Sequence, residues 1–114
     1  MRVHWTSIKG RRCLLIEFNG CLSTEEAVRG GDAMRAEIQA CAEPVTIVWD
    51  CRMMENYTVK AFEAWRQRLS AVAAQVDQIH CVTVSTFIKL GASALGLAIR
   101  KSIKTAPSLE SLDF

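Results

Sequence analysis

The sequence predicts a single α/β domain spanning residues 1–114, with a mixed, mainly parallel sheet of about four to five strands packed with about four helices. Three observations predict it. Short runs rich in β-branched residues, such as Val45-Thr46-Ile47-Val48-Trp49, alternate with stretches whose apolar residues recur at steps of three and four. Strands alternating with helices imply parallel pairing with helices laid over the sheet. Ser23, Thr58 and Ser85 stand ahead of the helical stretches, where a side-chain oxygen accepts from an orphan backbone N–H. With 114 residues, half of them apolar, the chain suits one compact domain with its own core.

The elements follow in order. Val3 to Ile8 alternates weakly and reads as a strand. Lys9-Gly10-Arg11 is a turn, and Cys13-Leu14-Leu15-Ile16-Glu17-Phe18 is a stronger strand that forms a hairpin with the first. Asn19-Gly20 ends it. Ser23 with Glu26 has the spacing of a capping box, and Ala27, Gly31, Met34, Ile38 and Cys41 mark one helix face. Gly30-Gly31 weakens that helix by about 1 kcal/mol per glycine, and a close helix–sheet approach at Gly31 would explain one of the two. Val45 to Asp50 is the central strand, Asp50 closes it, and Cys51 to Tyr57 is a loop. A second helix runs from about Thr58 to Val76, with Phe62, Trp65, Leu69, Val72 and Val76 inward. Asp77-Gln78 is a junction, Ile79 to Val84 a strand, and Phe87 to Lys101 a third helix. Ile103-Lys104-Thr105 reads as a last short strand, and residues 107–112 as a terminal helical turn capped by Ser108.

Charge and cysteine usage narrow the classes. A net charge of +2 with scattered basic residues does not make a nucleic-acid face. The five cysteines are odd in number and show no C-x-x-C, so a disulfide framework is not expected. The start Met1-Arg2-Val3-His4-Trp5 shows no signal peptide, and the apolar run near Leu90 to Ile99 is too short to span a bilayer. A cytoplasmic protein is the expectation. Membrane contact is at most peripheral, through Lys89, Arg100 and Lys101. The third helix is apolar on more than one face, which suits a core helix that also meets a partner or a second copy.

The early strand Gly10-Arg11-Arg12-Cys13-Leu14-Leu15-Ile16-Glu17-Phe18-Asn19-Gly20 and the strand Val45-Thr46-Ile47-Val48-Trp49-Asp50 resemble the STAS domain in its SpoIIAA-like, anti-sigma-factor-antagonist-like bacterial forms. Tyr57-Thr58-Val59-Lys60-Ala61-Phe62-Glu63-Ala64 resembles the start of the family's second helix, and Ile103 to Glu110 its closing strand and final helix. The resemblance implies a regulatory module that docks a regulator or kinase-like protein. Family antagonists carry a phosphorylated Ser or Thr, usually in an Asp-Ser-Ser-Gly-like sequence, before the second helix. Here that sequence is absent, and Thr58 is the one hydroxyl nearby.

The candidate partner-binding loop is therefore Asp50, Cys51, Arg52, Met53, Met54, Glu55, Asn56 and Tyr57, with Thr58 the candidate phosphoacceptor. In open α/β folds, binding gathers at the carboxyl ends of strands, and a helix start favours a phosphoryl group. The plainer roles are that Thr58 is an N-cap and that Asp50 binds local backbone N–H groups. Met53, Met54 and Tyr57 either form an adaptable apolar surface or plug the end of the sheet. The alternative function is a carrier or sensor of a small apolar ligand or lipid at these strand ends. A homodimer is a further partner option. No catalytic residue, metal site or cofactor is expected, apart from a weak alternative in which Cys51 acts as a thiol nucleophile. A Cys/His pairing would need His4 or His80 beside it. Glu25 and Glu26 sit in a first helical turn, which favours carboxylates on electrostatic grounds alone.

Overall fold

The computed structural model describes residues 1–114. Its elements are β1 (Arg2–Ile8), β2 (Arg11–Leu22), α1 (Thr24–Gln39), β3 (Val45–Tyr57), α2 (Val59–Val72), β4 (Val76–Val82), α3 (Thr86–Ile99) and β5 (Ile103–Ala106). The five strands lie in chain order, β1-β2-β3-β4-β5. β1 and β2 form the expected antiparallel hairpin, turned at Lys9 and Gly10, both with positive φ. Every later pairing is parallel.

This order decides where the core sits. Parallel crossovers are right-handed, and here each one advances in the same direction, so all three helices fall on one face of the sheet. Leu14, Ile16 and Phe18 of β2, Ile47 and Trp49 of β3, and Ile79 and Cys81 of β4 point to that face. They pack against Met34 and Ile38 of α1, Trp65 and Leu69 of α2, and Ile88 and Leu95 of α3. The opposite face carries a smaller core of Cys13, Leu15, Val48 and Val82. No helix covers it. The carboxyl-terminal segment does, through buried Leu112 with Leu109 and Phe114 beside it. Lys9 Nζ holds that segment by donating to the carbonyls of Glu110 (3.1 Å) and Leu112 (2.8 Å).

The caps at Ser23, Thr58 and Ser85 are as expected, each side chain accepting from the backbone N–H three residues on. Several boundaries differ. There are three α-helices rather than about four. The terminal stretch closes a single turn, with Ser111 N donating to Ser108 Oγ at 3.2 Å, before Leu112 dives into the second core. The second helix stops at Val72. A 3₁₀ turn over Ala73–Gln75 follows, and Val76 opens β4 opposite Val45. Val76 fits a helical stripe by spacing, but its burial is as a strand residue. The close approach at Gly31 is helix to helix: a Cβ there would stand 2.8 Å from Arg68 Cδ of α2.

Candidate functional site

The segment from Cys51 to Tyr57 is not a loop. It is the second half of β3, paired in parallel with Asn19–Leu22 of β2, and Asp50 lies within the strand instead of closing it. β3 carries two extra residues against β2, one between the Glu17–Asp50 and Asn19–Met53 pairs and one between Gly20–Met54 and Cys21–Asn56. Each extra residue re-aims the side chains beyond it. Cys51, Met54 and Tyr57 consequently line the helix side of the sheet, three residues apart, while Arg52, Met53, Glu55 and Asn56 are exposed.

Asp50 takes the local role. Its Oδ1 accepts from Arg52 N (3.2 Å) and Nε (2.9 Å), and its Oδ2 from Nη2 (2.8 Å). The Arg52 guanidinium holds the Asp50 carboxyl below its usual range despite burial. Thr58 Oγ1 accepts from Ala61 N at 3.0 Å, and the residue is exposed at the start of α2.

Cys51 is buried, with its sulfur 3.8 Å from that of Cys81. The contact with Cys81, together with burial, pushes the Cys51 thiol up, away from the thiolate a nucleophile requires. The two histidines do not meet. His4 is on β1, its Nε2 3.1 Å from Glu17 Oε2, with β2 and β3 between it and β4. His80 is buried on the opposite face of the sheet from Cys51, against Phe114. No group of three or more His, Cys, Asp or Glu side chains converges as metal ligands would.

What the strand ends do form is an apolar cavity of about 50 Å³ between the sheet, α2 and α3. Phe18, Leu22, Trp49, Cys51, Met54, Tyr57, Phe62, Trp65, Cys81, Ile88, Gly91, Ala92 and Leu95 line it. Trp65 sits edge-on to Phe18 (5.2 Å) and to Trp49 (6.1 Å). One polar atom is out of place: Trp49 Nε1 is buried and has no hydrogen-bond partner. Tyr57 closes the outer end, stacked on Phe87 at 4.8 Å and leaning on Phe62 at 5.9 Å. Its hydroxyl occupies the space a side chain at position 91 would need, since a Cβ on Gly91 would lie 2.5 Å from it. Outside Tyr57 a cleft of about 340 Å³ continues between the helices, lined by Val59, Phe62, Phe87, Leu90 and Ala94. From sequence, Phe18, Trp49, Phe62 and Trp65 read only as core. Their clustering at strand ends and on the facing helix is the signal for the cavity.

α3 also presents an outer stripe. Phe87, Leu90, Ala94 and Leu97 are exposed at steps of three, four and three. No helix of the structure is long and apolar enough to cross a membrane.

No protein-family model matches the chain, and no curated protein matches it in sequence. In structure it is similar to an uncharacterized protein from the DUF3478 family with a SpoIIAA-like fold, from Shewanella loihica PV-4. The TM-score is 0.75 over 94% of this chain and 85% of that one, at 6% identity. The fold is thus SpoIIAA-like, as the sequence resemblance implies.

Proposed function

We propose that this chain is a STAS-like regulatory module that works by docking a protein partner, a regulator or kinase-like protein. The docking face is the outer stripe of α3 together with Tyr57, which ends β3, and Val59, which opens α2. The observation that carries this reading is the exposure of Leu90 (65%), Leu97 (83%) and Phe87 (48%) along one helix line. A three-four-three spacing is the seam of a helix that packs against another helix. Large apolar side chains lined up in solvent mark an interaction surface, whereas scattered ones do not. α3 holds Lys89 and no acidic residue, so the matching partner is an amphipathic helix with acidic flanks. The SpoIIAA-like fold supports the same class of role. Thr58, exposed beside Val59, is where a phosphate would put charge at the rim of this face and regulate docking.

The test is a photo-crosslinking residue placed at position 97 in the native host, with partners identified by mass spectrometry. A distinct protein, lost on Leu90→Asp with the circular dichroism spectrum unchanged, is the expected result. Self-crosslinks alone would make the face a homodimer interface and overturn the reading.

A second reading, a carrier or sensor of a small apolar ligand, is favoured by one observation: the apolar cavity at the strand ends, which shares Tyr57, Phe62 and Gly91 with the outer cleft between the helices. Native mass spectrometry of protein purified from its host tests it. A bound mass lost on denaturation is expected, and the bare polypeptide mass would count against it.

A further inference from the structure

We infer that Cys51 and Cys81 form a binding site for one soft, sulfur-seeking metal ion, copper(I), held between their two sulfurs in the wall of the inner cavity. Neither the docking reading nor the carrier reading gives the two thiols a role.

The site begins with the pair. Cys51 is on β3 and Cys81 on β4, where Cys81 stands opposite Trp49, so the two cysteines are diagonal neighbours. An ideal sheet puts such a pair about 8 Å apart at Cα, one strand across and two residues along. A disulfide does not span more than about 7 Å without backbone movement, and both thiols are free. Their sulfurs nevertheless meet at 3.8 Å. Two sulfurs bound to one ion by bonds of about 2.3 Å stand about 3.8 Å apart at a tetrahedral angle and about 4.0 Å at a trigonal one. The pair therefore already has the separation of two ligands on a single ion.

The ion follows from the donors. Cys51, Cys81 and Met54 bring three sulfur-bearing residues to the cavity wall, and no carboxylate or imidazole joins them. Calcium and magnesium take oxygen ligands, and zinc takes four ligands, or three and a water, drawn from Cys, His and carboxylates. Thiolate and thioether together select copper(I). Uptake exchanges protons for metal: one copper(I) ion enters, both S–H protons leave and no electron moves, so the bis-thiolate carries one negative charge. Phe62 in the first turn of α2 and Ile88 in the first turn of α3 line the same cavity. Both helices thus begin beside this charge, where their dipoles favour an anion.

The test uses the full chain, reduced and free of oxygen, loaded with copper(I) as its acetonitrile complex and then challenged with excess bicinchoninate. One copper ion per chain is expected to survive, read by native mass spectrometry. With ¹³C-labelled cysteine, the Cβ resonances of Cys51 and Cys81 are expected to move on loading, while those of Cys13, Cys21 and Cys41 stay. Cys51→Ser and Cys81→Ser should each weaken binding by about a hundredfold or more, and Met54→Leu by about tenfold. Cys21→Ser, at an exposed thiol, should change nothing. A native chain that retains no copper, or copper that moves Cys21 or Cys41 instead of the pair, overturns the site. Retention and the Cβ shifts are read on unmutated protein, so a Cys51 or Cys81 variant that fails to fold does not block the test.

Discussion

Replacing Leu112 by alanine probes the one strap that covers the helix-free face of the sheet. Leu112 is 1% exposed and packs on Cys13, Leu15, Val48 and Val82. The substitution leaves its carbonyl in place, so the Lys9 bond at 2.8 Å survives and only side-chain packing is removed. Buried Leu→Ala changes cost about 2–5 kcal/mol, and a terminal segment settles more easily than a central strand, so about 3 kcal/mol is expected here. With a urea dependence of about 1.5 kcal/mol per molar for a small domain, the midpoint should fall by about 2 M with an unchanged slope. A second, local readout is available. Cys13 is fully buried under the strap, and burial pushes its thiol up. Mass-resolved labelling of Cys13 in native buffer should accelerate by about a hundredfold if it proceeds through local release of this segment. A midpoint shift below about 0.3 M together with unchanged labelling of Cys13 would refute the claim that the segment closes this face.

Two further outcomes can be checked on the same urea curves. Thr58→Ala removes the α2 cap bond to Ala61 N (3.0 Å) and should cost about 1 kcal/mol, whereas Thr58→Ser should cost much less. Burial, then the charges of Lys104 and Arg11, hold His80 below its usual value of 6.5, so the unfolded chain takes up the proton first as pH falls. Stability from this group is full above pH 6.5 and is lost as pH drops through the lower folded value. His80→Gln should flatten the midpoint between pH 7 and 5, and a slope that persists there would contradict the assignment. Below about pH 3.8 a second loss is expected as Asp50, held down by Arg52, is protonated.

Much of this fold is legible in the sequence because local patterns and tertiary burial agree. The capping positions at Ser23, Thr58 and Ser85 and the apolar run Val45–Trp49 each point to one local structure. The second half of β3 does not. Its two extra residues break the alternation on which strand recognition rests, so inward residues fall at 51, 54 and 57 with polar residues between them. Such spacing looks like a polar loop until β2 is placed beside it. Asn19-Gly20 misleads in the same way: Gly20 has φ +70° and reads as a stop, yet β2 continues to Leu22. Of the candidate site, Tyr57 and Met54 were visible as large apolar residues near a strand end. The partners that give them meaning, Trp49, Phe62, Phe87 and Gly91, lie on three elements whose convergence no local pattern encodes.

The order of the strands also bears on how the chain assembles. Each new strand joins the edge left by its predecessor, and none is inserted between two already placed. A nascent chain emerging from its amino end could close the β1–β2 hairpin first and then add β3, β4 and β5 without rearranging what is already paired. The segment around Leu112 follows β5 in the chain. Until Leu112 is in place, the apolar side chains of Cys13, Leu15, Val48 and Val82 face water, and its docking is what ends that vulnerability to aggregation.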